Sequence, residues 1–82
     1  MIKNPVDKRI YELIIRDITT NGKNYSILTN FEISKELGIS PISVRDKVIR
    51  LAKNDYLVSL VSHWDENNKF FNRKLLLGKK PA

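Results

Sequence analysis

Apolar residues recur at three- and four-residue spacing near the start of the chain: Val6, Ile10, Leu13, Ile14 and Ile18. That period lays one stripe along a helix. Asn4 as N-cap, Pro5 at the first helical position and Asp7 in the first turn announce its beginning. Thr19-Thr20-Asn21-Gly22 ends it, with Gly22 suited to a left-handed terminal position. Tyr11 and Ile15 widen the stripe to a second flank, which either a wide core or another subunit can cover. Tyr25-Ser26-Ile27-Leu28 is β-prone and long enough for one short strand.

A second helix is predicted from Thr29, where Thr29-Asn30-Phe31-Glu32 has the form of a capping box. Phe31, Ile33 and Leu37 supply its apolar contacts, and Gly38 stops it. Only Ile39 separates that glycine from Ser40, the expected N-cap of a third helix with Pro41 at its first position. Two helices joined by a few residues containing glycine form a helix-turn-helix signal. In the third helix, Pro41 to about Asn54, the residues Val44, Val48, Leu51 and Ala52 share a core face. Ile42, Ser43, Asp46, Ile49, Arg50 and Lys53 lie opposite, with Arg45 at the edge. Serine and arginine can bond base edges in a DNA groove, and isoleucine can meet thymine methyls. Alternatively, Ile42 and Ile49 pack on a neighbouring element or subunit.

From Tyr56 the period changes to two. Residues 56–64 and 69–77 are β-branched, aromatic and aliphatic runs flanking Asp65-Glu66-Asn67-Asn68, the pattern of a β-hairpin. Leu57, Val61, Leu75 and Leu77 are expected to face the helices. Trp64 is expected to close the hairpin tip against Phe70 or Phe71, and His63 to be an ordinary strand residue. Residues 79–82, after Gly78, form a basic tail expected to be loose.

Composition narrows the function classes. At 82 residues one domain over residues 1–78 is expected, with no room for a separate regulatory domain. There are no cysteines, hence no disulfide framework and no thiolate zinc site. No run approaches the ~20 apolar residues of a membrane span. Met1-Ile2-Lys3-Asn4-Pro5 lacks the apolar region of a signal peptide, so a cytoplasmic location is expected. Fifteen basic residues against nine acidic give a formal charge of +6, which favours an anionic partner. The surplus is uneven. Residues 1–40 hold six basic and five acidic residues, whereas residues 41–82 hold nine and four. The third helix and everything after it are therefore the expected anion-facing part. Ten Ile, ten Lys and eight Asn are encoded by AT-rich codons, consistent with a bacterial, plasmid or phage source.

The order helix, short strand, helix-turn-helix and hairpin resembles a winged helix-turn-helix domain. The resemblance is clearest in residues 28–40 (LTNFEISKELGIS), then Ser43-Val44-Arg45, Leu51 and Tyr56-Leu57-Val58, and it extends over residues 5–77. Two positions depart from the family pattern. Ser34 stands where alanine is usual, and Asn54-Asp55 replaces an acidic-glycine turn, with Asn54 expected to take the left-handed conformation. The resemblance implies a mainly helical α+β fold of three helices, a short strand and a C-terminal β-hairpin wing. It also implies double-stranded DNA binding, with recognition helix 41–54 in the major groove and wing 56–77 at the adjacent minor groove or backbone. Ser40, Ile42, Ser43, Arg45 and Asp46 would then lie nearest base edges or flanking phosphates, and Arg50 and Lys53 would meet phosphate farther along. Asn67, Asn68, Lys69 and Arg73 would form the wing contact, arginine favouring narrow AT-rich minor grooves. A wing-dominated mode stays open, while Asp65 and Glu66 argue against deep insertion of the tip.

Neither a Ser-His-Asp trio nor a glycine-rich phosphate loop is present, so no enzyme is expected, and no cofactor, metal or small-molecule ligand. Within DNA binding, a small transcription regulator and an accessory protein of plasmid or phage replication, partition or conjugative transfer both fit. A homodimer on DNA is expected in either case, because one small module gives limited specificity. A protein-binding winged helix is the rival of another class; the basic third helix counts against it.

Overall fold

The computed structural model describes residues 2–61 and 73–80. Helix α1 spans Pro5–Asn21, and its first turn forms because the Asn4 side chain accepts from the amides of Val6 and Asp7. Gly22 closes it in the left-handed region, as expected. Helix α2 spans Asn30–Leu37 behind a complete capping box. The Glu32 amide donates to Thr29 Oγ1 and the Thr29 amide to Glu32 Oε1, at 3.1 and 2.9 Å. At its end Gly38 has φ of 70°, where an L side chain would be strained, and donates its amide to the Ser34 carbonyl. Helix α3 spans Pro41–Lys53, with Ser40 Oγ accepting from the Ser43 amide. The turn from α2 to α3 is short because caps of both kinds occupy it.

The three helices share one core. Ile10 and Ile14 of α1, Ile33 of α2, and Val44, Val48 and Leu51 of α3 are buried, with Ile2, Tyr56, Leu57 and Leu75 closing it. Tyr11 is buried edge-on against Tyr56, ring centroids 6.1 Å apart, and Ile15 packs at the margin; the second flank of α1 therefore serves a wide core. Ser34 is also buried, and its hydroxyl donates to the Phe31 carbonyl at 2.7 Å, so the position tolerates serine without an orphaned polar atom.

Strands β1 (Leu57–Val61) and β2 (Arg73–Leu77) pair antiparallel, with Leu57 opposite Leu77 and Val61 opposite Arg73. The expected strand at Tyr25–Leu28 is reduced to one bridge, Ser26 to Leu75, made by reciprocal backbone bonds of 2.8 and 2.9 Å. Leu57 and Leu75 face the helices as anticipated; Val61 and Leu77 do not, at 58% and 46% exposure. Those two stand at opposite ends of the paired stretch. The expected hairpin loop Asp65–Asn68, together with His63, Trp64, Phe70 and Phe71, lies outside the described residues.

Two expectations about the turn and the tail are corrected. The left-handed residue between α3 and β1 is Asp55, with φ of 65°, not Asn54. Asn54 keeps φ of −95° because it caps the helix, its amide and side chain both donating to the Arg50 carbonyl. Nor are Lys79 and Lys80 a loose tail. The Gly78 amide donates to the Tyr56 carbonyl and the Lys80 amide to the Asp55 carbonyl, while the Lys80 ammonium lies over the Tyr56 ring. Gly78 is required there by close approach: a Cβ would come within 2.2 Å of the Asp55 carbonyl oxygen. Gly78→Ala is therefore expected to cost about 2 kcal/mol, a fall of roughly 10 °C in Tm. A thermal melt within 2 °C of wild type would show that the backbone yields freely.

Candidate functional site

The outward face of α3 is built by the same caps that start the helix. Pro41 at its first position and the Ser40 cap orient the first turn so that Ile42 points to solvent at 65% exposure and Ser43 lies half-buried beside it. One turn on, Arg45 and Asp46 are exposed and touch each other at 3.3 Å. Ile49 follows at 52% exposure, and Lys53 ends the face, exposed in the last turn. Ile42, Asp46, Ile49 and Lys53 thus lie along one outward face with Ser43 and Arg45 at its two edges, while Ser40 stands at the N-cap. Between that surface and the strands runs an open cleft lined by Arg45, Val48, Ile49, Ala52, Lys53, Ser59 and Arg73.

Two arginines differ from expectation. Arg50, expected to reach phosphate, folds back onto α1 and donates Nε and Nη2 to the two carboxylate oxygens of Asp7, each at 2.7 Å. The Asp7 side chain is almost wholly covered, while that of Arg50 is half exposed. The hydrogen bonds and charge of Asp7 raise the Arg50 guanidinium above its ordinary range. This fork clamps the start of α1 to the far side of α3, so Arg50 is a fastening of the domain.

Arg73, expected in the wing contact, is half-buried at the first residue of β2, opposite Val61. Its two terminal nitrogens donate to Asn30 Oδ1 and to the Leu28 carbonyl, both at 2.6 Å. Burial lowers the Arg73 guanidinium from its ordinary value. The pair of bonds joins β2 to the residues that open α2, and so fixes how the strands sit against the helices. Arg73→Ala is expected to lose about 2 kcal/mol by urea unfolding. Arg73→Lys restores only part of that, since an ammonium cannot match the planar fork. An alanine variant within 0.5 kcal/mol of wild type, as a rough threshold, would remove the fastening role.

Sequence reasoning missed both partners, Asp7 and Asn30, which were read only as helix-start residues. No local pattern could have found them, because each lies 43 positions from its arginine. It also missed Tyr25, whose ring carries Lys74 at 4.6 Å and Lys23 at 5.5 Å, a small cationic cluster on the outer edge of β2. The expected contacts Asn67, Asn68 and Lys69 lie outside the described residues.

Among the described residues no three His, Asp or Glu side chains gather to hold a metal ion, and no helix is long and apolar enough to cross a membrane. No protein-family model matches the chain, and neither does any curated protein.

Proposed function

We propose that the chain is a winged helix-turn-helix protein that binds double-stranded DNA sequence-selectively. In this reading α3 enters the major groove, and the strand pair with its connecting segment approaches the neighbouring minor groove or backbone. The observation that carries it is the outward face of α3. Two capped helices meet at a tight turn, and the second presents Ile42, Asp46, Ile49 and Lys53 to solvent with Arg45 on its flank. A surface of that make-up is poorly suited to plain hydration, and the mixture of cations, short polar groups and apolar side chains suits a base-pair edge and its phosphates. The charge distribution points the same way, since nine of the fifteen basic residues follow position 40.

The chain acts in this reading as a small transcription regulator in the cytoplasm, without cofactor, metal or small-molecule ligand, and catalyses no reaction. It binds as a homodimer, with the exposed Val58 and Leu60, which share the outer face of β1, as the surface where a second copy would pack. The test is fluorescence anisotropy of a labelled duplex recovered from a random-sequence pool, titrated with the full chain at several salt concentrations. Tight, salt-dependent binding that Arg45→Ala and Lys53→Ala weaken supports the reading. Failure to recover any duplex from the pool would end it.

A further inference from the structure

Guanine in the major groove is read best by an arginine that donates from both arms of its fork to O6 and N7. The chain has three arginines after position 40. Two of them have their forks engaged inside the protein: Arg50 on Asp7 at 2.7 Å, and Arg73 on Asn30 and Leu28 at 2.6 Å. The third, Arg45, meets Asp46 at 3.3 Å with both side chains more than half exposed, a contact loose enough to exchange for a phosphate oxygen. Only Arg45 of the three is therefore free, and the outward face of α3 adds two exposed apolar groups. Ile42 and Ile49 stand exposed two turns apart, about 10 Å along the helix. They are the right class of side chain for the one apolar group in the major groove, the C5-methyl of thymine.

We infer, resting on the DNA-binding reading above, that α3 selects its site mainly by packing Ile42 and Ile49 against thymine methyls, not by arginine–guanine bonds. Arg45 and Lys53 are exposed cations that line one cleft with Ile49, within reach of phosphates beside the groove, which favours a duplex over a protein as the occupant of this face. Covering one methyl group corresponds to about a three- to fourfold gain in affinity. The separation of the two isoleucines assigns them to different thymines.

The experiment replaces thymine by uracil, which deletes only the methyl, one position at a time in the tightest duplex recovered from a random pool. Wild type is expected to lose about three- to fourfold at two or more positions. Ile42→Ala should abolish the loss at one of them and Ile49→Ala at another. Both side chains are exposed, so the variants keep the fold, and circular dichroism checks that they do. Equal affinity for the thymine and uracil duplexes, with salt-dependent binding intact, overturns methyl readout and leaves DNA binding standing. A uracil effect that persists undiminished in the double alanine variant assigns it to duplex shape and likewise overturns the proposal. Absence of any duplex binding removes both. Self-association that Ile42→Ala abolishes, without change in DNA affinity, would give this face to a second copy of the chain.

Discussion

Raising the salt concentration from 50 to 200 mM is expected to weaken duplex binding about a hundredfold. The estimate follows from which cations remain available. Arg50 and Arg73 are engaged internally, whereas Arg45, Lys53, Lys74 and Lys79 are exposed. Taking about four phosphate contacts, log K should fall against log salt with a slope near −3.6, and a fourfold rise in salt then gives roughly two orders of magnitude. A pair of chains on adjacent half-sites would double the slope, so the same titration reads the stoichiometry of the complex. Lys53→Ala should lower the slope by about one while leaving sequence preference unchanged, because phosphate contacts position the protein and do not specify. A slope near zero would mean that the surplus charge does not meet phosphate, and would move the protein to the class of protein-binding domains.

Leu51→Ala is expected to destabilise the domain by about 3 kcal/mol. Leu51 is buried on α3, and its carbonyl accepts the Tyr56 amide at 3.0 Å where the chain turns towards β1. Truncation leaves a void between helices that are held apart by Ile14, Ile33 and Val44 and cannot close on it. A domain of this size has a total stability of roughly 4 to 12 kcal/mol, so towards the lower end of that range a substantial fraction would unfold at 37 °C. Urea unfolding monitored by circular dichroism measures the loss. Recovery of the cost by Leu51→Met would identify it as lost volume. A Leu51→Ala penalty below about 1 kcal/mol would place this side chain outside the stabilising core.

These two results bear on different layers of the same molecule. The outward residues of α3 are exposed and replaceable one at a time, and the stability of the helix that carries them resides on its other face. Arg45 and Lys53 variants should therefore alter binding with little change in Tm, whereas variants at Leu51 and Arg73 change the frame itself. Arg73 in particular sits where the strands meet the start of α2, so its loss should disturb any binding that depends on the relative placement of the two parts.

All three helices were legible from the chain alone because their signals are local. A capping box needs residues three apart, Asn4 and Ser40 need only the next turn, and the apolar period of α1 and α3 repeats every three or four positions. The paired strands were legible in kind for the same reason. The two faces of α3 followed from helical geometry, and with them Ile42, Ser43, Asp46, Ile49, Arg50 and Lys53 as an outward group with Arg45 at its edge, of which Arg50 turns back onto Asp7. Strand burial was less legible: alternation alone gave Val61 and Leu77 the same standing as Leu57 and Leu75. How far the helices reach along β1 and β2 is a matter of tertiary packing, and it leaves the first two exposed.

What only the tertiary structure decided is which charged groups are free. By sequence Arg45, Arg50 and Arg73 are equivalent cations in a basic segment. In the fold Arg50 is committed to Asp7 and Arg73 to Asn30 and Leu28, across separations of 43 and 45 residues. Lys80 likewise passes from a supposed tail to a position held by its amide on the Asp55 carbonyl, its exposed side chain reaching over Tyr56. The division has a simple physical cause. Backbone caps and helical period are set by interactions within one or two turns, so they are written in neighbouring residues. A guanidinium chooses its partner by direction and distance in space, and those exist only once the chain has folded.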